Sequence, residues 1–171
     1  MSDLFYNSLR FVGLMLFQVL ILNHFMLFGL VNPFVYILFI LMLPLAIPGW
    51  LLLVLGFLTG YLMDIFMTGA GLHTAATVFM AFMRPFVLRL ATGTKEPETV
   101  VYPGLSQMGA RWWFSYTLSL VVLHHFVLFV LESFSFNQLG YTLLRIILSV
   151  AATEILILLF SYFFTLRNLK R

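Results

Sequence analysis

Apolar runs of bilayer-crossing length alternate with short polar breaks along the chain. Residues 1–10 are a polar lead, and 11–30 form an apolar stretch long enough to span. Only Arg10 precedes that run and no small-residue exit follows it, so an uncleaved first helix is expected rather than a removed leader. Asn32-Pro33 breaks it. Residues 34–47 then form a second segment, which contains Pro44 and closes at Pro48-Gly49. Its length covers only about 21 Å of a hydrocarbon core of about 30 Å, so it reads either as a thin span or as a re-entrant piece. Residues 50–67 are the third helix, Thr68-Gly69-Ala70-Gly71 a tight turn with permissive backbone, and 72–90 the fourth helix. Residues 91–111 are the long polar loop, with an amphipathic patch suited to the interface. The fifth and sixth helices are 112–132 and 141–166.

Composition agrees. Of 171 residues, 63% are hydrophobic and 9% charged, with a mean hydropathy of +1.07. Soluble domains run near half apolar and about a quarter charged. The expected fold class is therefore an all-α integral membrane protein, one membrane domain over 1–171 with six transmembrane helices. A net charge of +3 on scattered side chains is no nucleic-acid footprint, and the lack of cysteine removes thiolate chemistry. Lys and Arg near helix ends stay cytoplasmic. With both termini inside, six crossings place Arg10, Arg89, Lys95, Arg111, Arg167, Lys170 and Arg171 together in the cytoplasm. Trp50, Trp112 and Trp113 are then expected as anchors at that interface.

Ionisable side chains inside hydrocarbon are costly unless paired or wetted, which makes Asp64, Arg84, Glu132, Arg145 and Glu154 the first candidates for function. Counted from the outer helix ends, Asp64 lies about 5 Å and Arg145 about 6 Å down, with Glu132 at the rim. Arg84 lies about 18 Å and Glu154 about 20 Å down. An inner Arg84–Glu154 ion pair is expected, and an outer contact of Arg145 with Asp64 or Glu132. Such pairs either fix helix packing or mark a proton or solute path. Arg145 and Glu154 face opposite sides of one helix, which favours packing.

Gly56-x-x-x-Gly60-x-x-x-Asp64 is a small-residue stripe that lets another helix approach closely, from this chain or from a partner. Gly69, Gly71 and His73 follow directly. His124 and His125 point about 100° apart, and His24 and His73 lie on other segments, so no metal site is expected. Neither a phosphate loop nor a nucleophile elbow is present, so neither catalysis nor a cofactor finds support in the residues.

The stretch GFLTGYLMDIFMTGAGLHTAATVFMAFMRPFVL, residues 56–88, resembles the rod shape-determining protein family MreD, through Gly60 with Asp64 four residues on and Gly71-Leu72-His73 opening the next helix. The resemblance implies a non-enzymatic scaffold in the bacterial cytoplasmic (inner) membrane, within the elongation machinery (elongasome) that directs side-wall peptidoglycan synthesis and cell shape. Its implied partners are MreC, MreB, RodA and a penicillin-binding transpeptidase, with a homodimer and membrane lipid as further contacts. The family is similar in fold to the substrate-binding membrane subunits of energy-coupling-factor transporters, so a small-solute-binding subunit is the rival expectation. On the scaffold reading, a partner helix docks on a groove edged by Gly56 and Gly60 and continued by Gly71, its outer rim polarised by Asp64 and His73.

Overall fold

The structure is a computed structural model that describes residues 3–24, 30–67, 69–92, 102–133 and 139–169, with the backbone alone at 3–4 and 164–169. Among these residues every regular element is helical. The order is α1 (Asp3–Leu20), a 3-10 turn (Leu22–His24), a second 3-10 turn (Val35–Ile37) running into α2 (Leu38–Leu41), α3 (Gly49–Met67), α4 (Leu72–Thr92), α5 (Leu105–Met108), α6 (Ala110–Ser133) and α7 (Leu139–Leu169). Five segments are long and apolar enough to cross a membrane: Phe5–His24, α3, α4, α6 and Leu139–Phe163 of α7. The chain is thus built as a multi-pass membrane protein.

The four later helices fall within a few residues of their expected bounds. The first does not. It begins at Asp3 rather than at residue 11, because the polar lead is itself helical, with Arg10 Nη1 donating to Asn7 Oδ1 one turn back at 3.3 Å. Residues 25–29, the end of the expected first span, lie outside the described residues, as do 93–101 of the expected loop. The rest of that loop contains the single turn α5.

The second segment departs furthest from a spanning helix. Pro33 and Pro44 bracket it, each removing a backbone donor and disfavouring helix in the residue before it, so only a 3-10 turn and four α-helical residues form between them. Yet it is the most deeply buried stretch: Val35, Tyr36, Ile37, Leu38, Ile40 and Leu41 expose no surface. Non-helical backbone is tolerated at membrane depth only where protein or trapped water meets its polar groups. Here side chains from four helices meet them. Gln18 of α1 donates to Pro33 O at 3.0 Å and accepts the Val35 N–H at 2.8 Å. On α7, Ser149 Oγ accepts from Asn32 N–H and Thr153 Oγ1 from Phe34 N–H, both at 3.0 Å. At the far end, Tyr116 of α6 donates to Leu41 O at 3.0 Å, and Arg84 of α4 donates to the carbonyls of Leu43 and Pro44.

These contacts fix directions. Tyr36 meets Thr77 and Leu43 meets Arg84, so the broken segment runs in the same sense as α4. Gln18 holds its start while Phe11 packs on Phe39 with ring centres 4.8 Å apart, so it runs opposite to α1. Contacts between Arg84 and Tyr116, and between Thr77 and His124, set α4 and α6 antiparallel. Contacts of Trp113 with Ser161 and of Glu132 with Arg145 do the same for α6 and α7.

Candidate functional site

The α3–α4 hairpin is built on contact between backbones. A Cβ added at Gly56 would stand 3.0 Å from the Ala81 Cβ, and one at Gly60 would stand 2.6 Å from Thr74 Cα and 2.7 Å from His73 O. The opening turn of α4 therefore lies directly on the stripe. Asp64 completes the junction: Oδ1 accepts the His73 N–H at 3.0 Å, and Oδ2 accepts the Thr74 N–H at 2.9 Å and the Thr74 hydroxyl at 2.5 Å. A carboxylate on the free N–H groups of a first helical turn is stabilised by hydrogen bonds and by the helix dipole, which is how α3 keeps an acid at this depth. Gly69 leaves room for it, since a Cβ there would lie 2.7 Å from Asp64 Oδ1, and Gly71 turns the chain at φ +86°. The expected partner-helix surface of Gly56, Gly60, Asp64, Gly71 and His73 is thus corrected. Their close-approach geometry is consumed inside the chain's own hairpin, and of the five only Gly71 is exposed.

Beneath this hairpin lies a polar cluster that the spacing of the histidines did not reveal. Tyr36 Oη, wholly buried at the first turn of the broken segment, lies 2.8 Å from His124 Nε2, 2.9 Å from Thr77 Oγ1 and 3.3 Å from His73 Nδ1. The neighbouring Phe34 ring is 5.0 Å from the His73 ring and 5.4 Å from that of His125. His125 Nδ1 donates to Val121 O at 2.9 Å, which leaves Nε2 to accept the Thr153 hydroxyl at 3.1 Å. That hydroxyl in turn accepts the Phe34 N–H. Adjacent histidines unable to share a metal are therefore well placed to face two neighbours, α4 through Tyr36 and α7 through Thr153. No local signal in the sequence foretells this, because Tyr36, His73 and His124 come from three separate segments. Among the described residues no three His, Asp or Glu side chains group to hold a metal ion. The cluster's chemistry is that of a hydrogen-bonded clamp on the broken segment. His24 stands apart from it, exposed.

The expected Arg84–Glu154 pair does not form. Arg84 is wholly buried and donates through Nε to Tyr116 Oη at 2.8 Å, through Nη1 to Pro44 O at 3.3 Å and through Nη2 to Leu43 O. Glu154 lies 2.6 Å from Thr117 Oγ1. Tyr116 and Thr117 project from α6 about 100° apart, so the helix stands between the two charges although they share a depth. The outer contact forms with Glu132: Arg145 Nη2 is 3.2 Å from both carboxylate oxygens, and its guanidinium lies 4.5 Å from the Phe129 ring centre. Asp64 has no part in it. Of the three expected interfacial tryptophans, Trp50 is exposed, Trp112 stacks on Tyr116 with ring centres 5.0 Å apart, and Trp113 is buried, donating to Ser161 Oγ at 3.0 Å.

A groove of about 820 Å³ opens between α1 and α3, with the broken segment as its floor. Phe11, Val12, Phe39, Leu51 and Leu55 make it predominantly apolar, and Asn7 and Ser8 sit at the end where the chain turns through Pro44 and Pro48. Compared with known proteins, the chain matches no family model, no curated protein and no solved structure.

Proposed function

We propose that this chain is a non-enzymatic membrane scaffold of the MreD kind, acting in the bacterial cytoplasmic membrane within the machinery that directs side-wall peptidoglycan synthesis and cell shape. In this reading it crosses six times with both termini inside, the broken segment serving as the second crossing. Its sense opposite to α1 supports that path, which brings Arg10, Arg89 and Arg111 to one end of the bundle. Basic residues gathered on one side are the usual mark of the cytoplasmic face.

One observation carries the scaffold reading over a solute-binding subunit. The polar groups of Gln18, Tyr36 and Arg84 are spent on the chain's own backbone and on neighbouring side chains, while the groove between α1 and α3 is predominantly apolar. A solute site needs a few polar groups turned toward an accessible cavity. An apolar groove suits contact with a membrane helix, and on the family resemblance the occupant is the single transmembrane helix of MreC, with MreB, RodA and the transpeptidase in the same assembly.

Purification of the tagged chain from its native membrane in mild detergent tests this. Recovery of MreC supports the reading, and the groove variant Ala46→Trp is expected to lose MreC while keeping its thermal midpoint. Recovery of an ATPase pair with a coupling subunit, together with a small solute that raises the thermal midpoint, would overturn it.

A further inference from the structure

Glu154 is the acid in the core that meets neither a cation nor a backbone N–H among the described residues. It is 3% exposed. Its Oε1 lies 2.6 Å from Thr117 Oγ1, and its Oε2 has no hydrogen-bond partner among the described residues. Asp64, by contrast, is held by two backbone N–H groups and a hydroxyl. The guanidiniums of Arg84 and Arg145 are engaged elsewhere, Arg84 on Tyr116, Pro44 and Leu43, and Arg145 on Glu132.

The hydroxyl of Thr117 decides where the proton sits. It lies 2.9 Å from Trp113 O and 3.2 Å from Phe114 O, the back-bond of a helical threonine, and it has one proton to give. If that proton goes to Trp113, the proton in the 2.6 Å contact must come from Glu154. If it goes to Glu154 instead, a carboxylate is left in the core with one hydrogen bond, one bare oxygen and no counter-charge. That is the arrangement burial penalises most. A bare carbonyl oxygen on a neutral acid is far less costly than a bare carboxylate oxygen.

We infer that Glu154 is a proton-binding site in the membrane core. It is a neutral carboxylic acid whose Oε1–H donates to Thr117 Oγ1, which donates in turn to the Trp113 carbonyl. The bound proton then joins α7 to α6, and Oε2 is the acid's carbonyl oxygen, which accounts for its lack of a donor. The sequence-based pairing of Glu154 with Arg84 assigned it the opposite state, an ionised partner of a cation. The site is independent of the partner that the groove takes.

Infrared spectroscopy of the full chain in detergent micelles, beside Glu154→Gln, tests the assignment. The carbonyl stretch of a protonated carboxylic acid is expected in the parent and absent from the variant. The thermal midpoint is expected unchanged, since the glutamine amide donates to Thr117 in the same direction. If no acid band is lost in a folded Glu154→Gln, Glu154 is ionised and the inference is overturned. Should that variant fail to fold, Thr117→Val removes the acceptor of the Glu154 proton together with the back-bond to Trp113 O. The acid band then shifts to higher frequency if the inference holds, and a spectrum identical to the parent's overturns it.

Discussion

Between α3 and α4 two backbones touch at Gly56 and Gly60 with no side chain in the way, whereas the broken segment is held at both ends by side chains reaching in from α1, α4, α6 and α7. The hairpin forms between neighbours in sequence across a short turn, and its parts are the smallest residue and one carboxylate. The broken segment assembles from positions as distant as Phe34 and Thr153, using polar side chains to replace hydrogen bonds that its own helix does not make. In hydrocarbon an unmet N–H or C=O is expensive, so irregular backbone in the core requires polar residues on the helices around it. The buried Gln18, Arg84, Tyr116, Ser149 and Thr153 are that requirement made visible.

The strongest way to break this contrast is to put a side chain where the hairpin has none. Gly60→Leu drives its Cβ into the Thr74 backbone and unseats the Asp64 cap, with an expected loss above about 3 kcal/mol. Thermal unfolding in detergent, with recovery of monodisperse protein, reads it. A variant that folded normally would show that α4 does not rest on the stripe. On the other side of the contrast, Arg84→Met strips the donors from the Leu43 and Pro44 carbonyls, at an expected cost of about 3 kcal/mol. Because Glu154 is no partner of Arg84, charge reversal at Arg84 combined with Glu154→Arg should not restore folding. Rescue by that double swap would reinstate the ion pair.

Tyr36→Phe removes the hydroxyl shared by His73, Thr77 and His124 without changing shape, with an expected cost of about 2 kcal/mol. Hydrogen exchange should rise most in the broken segment and the C-terminal half of α6, leaving the α3–α4 turn protected. Uniform loss of protection would mean that the two regions form one cooperative unit. Glu132→Gln is the smallest change. The carboxylate side chain is 42% exposed, and the expected effect on the thermal midpoint corresponds to less than about 1 kcal/mol.

Much of the layout was legible in the order of residues. Apolar runs report helices of spanning length because, in hydrocarbon, a helix meets its own backbone hydrogen bonds, so each run carries its own evidence. The close approach at Gly56 and Gly60 and the turn at Gly69 and Gly71 were equally visible, since glycine acts locally. The meaning of the stripe was not: whether it receives a partner or the chain's own next helix depends on where α4 returns. The extra turns at the start of α1 were masked because polar Asn7 and Arg10 resemble a lead, although they lie one helical turn apart.

What the order of residues determined by itself is the membrane as solvent, the places where helices run and the places where glycine and proline interrupt them. Each follows from the residue and its near neighbours. Tertiary structure alone decided that Arg84 serves carbonyls rather than Glu154, that His73 and His124 share one tyrosine hydroxyl, and that a segment too short for an ordinary span lies at the centre of the bundle. Equal depth along two helices does not make side chains meet, because the angular position of each residue, and the helix standing between them, are set only when all the helices pack together.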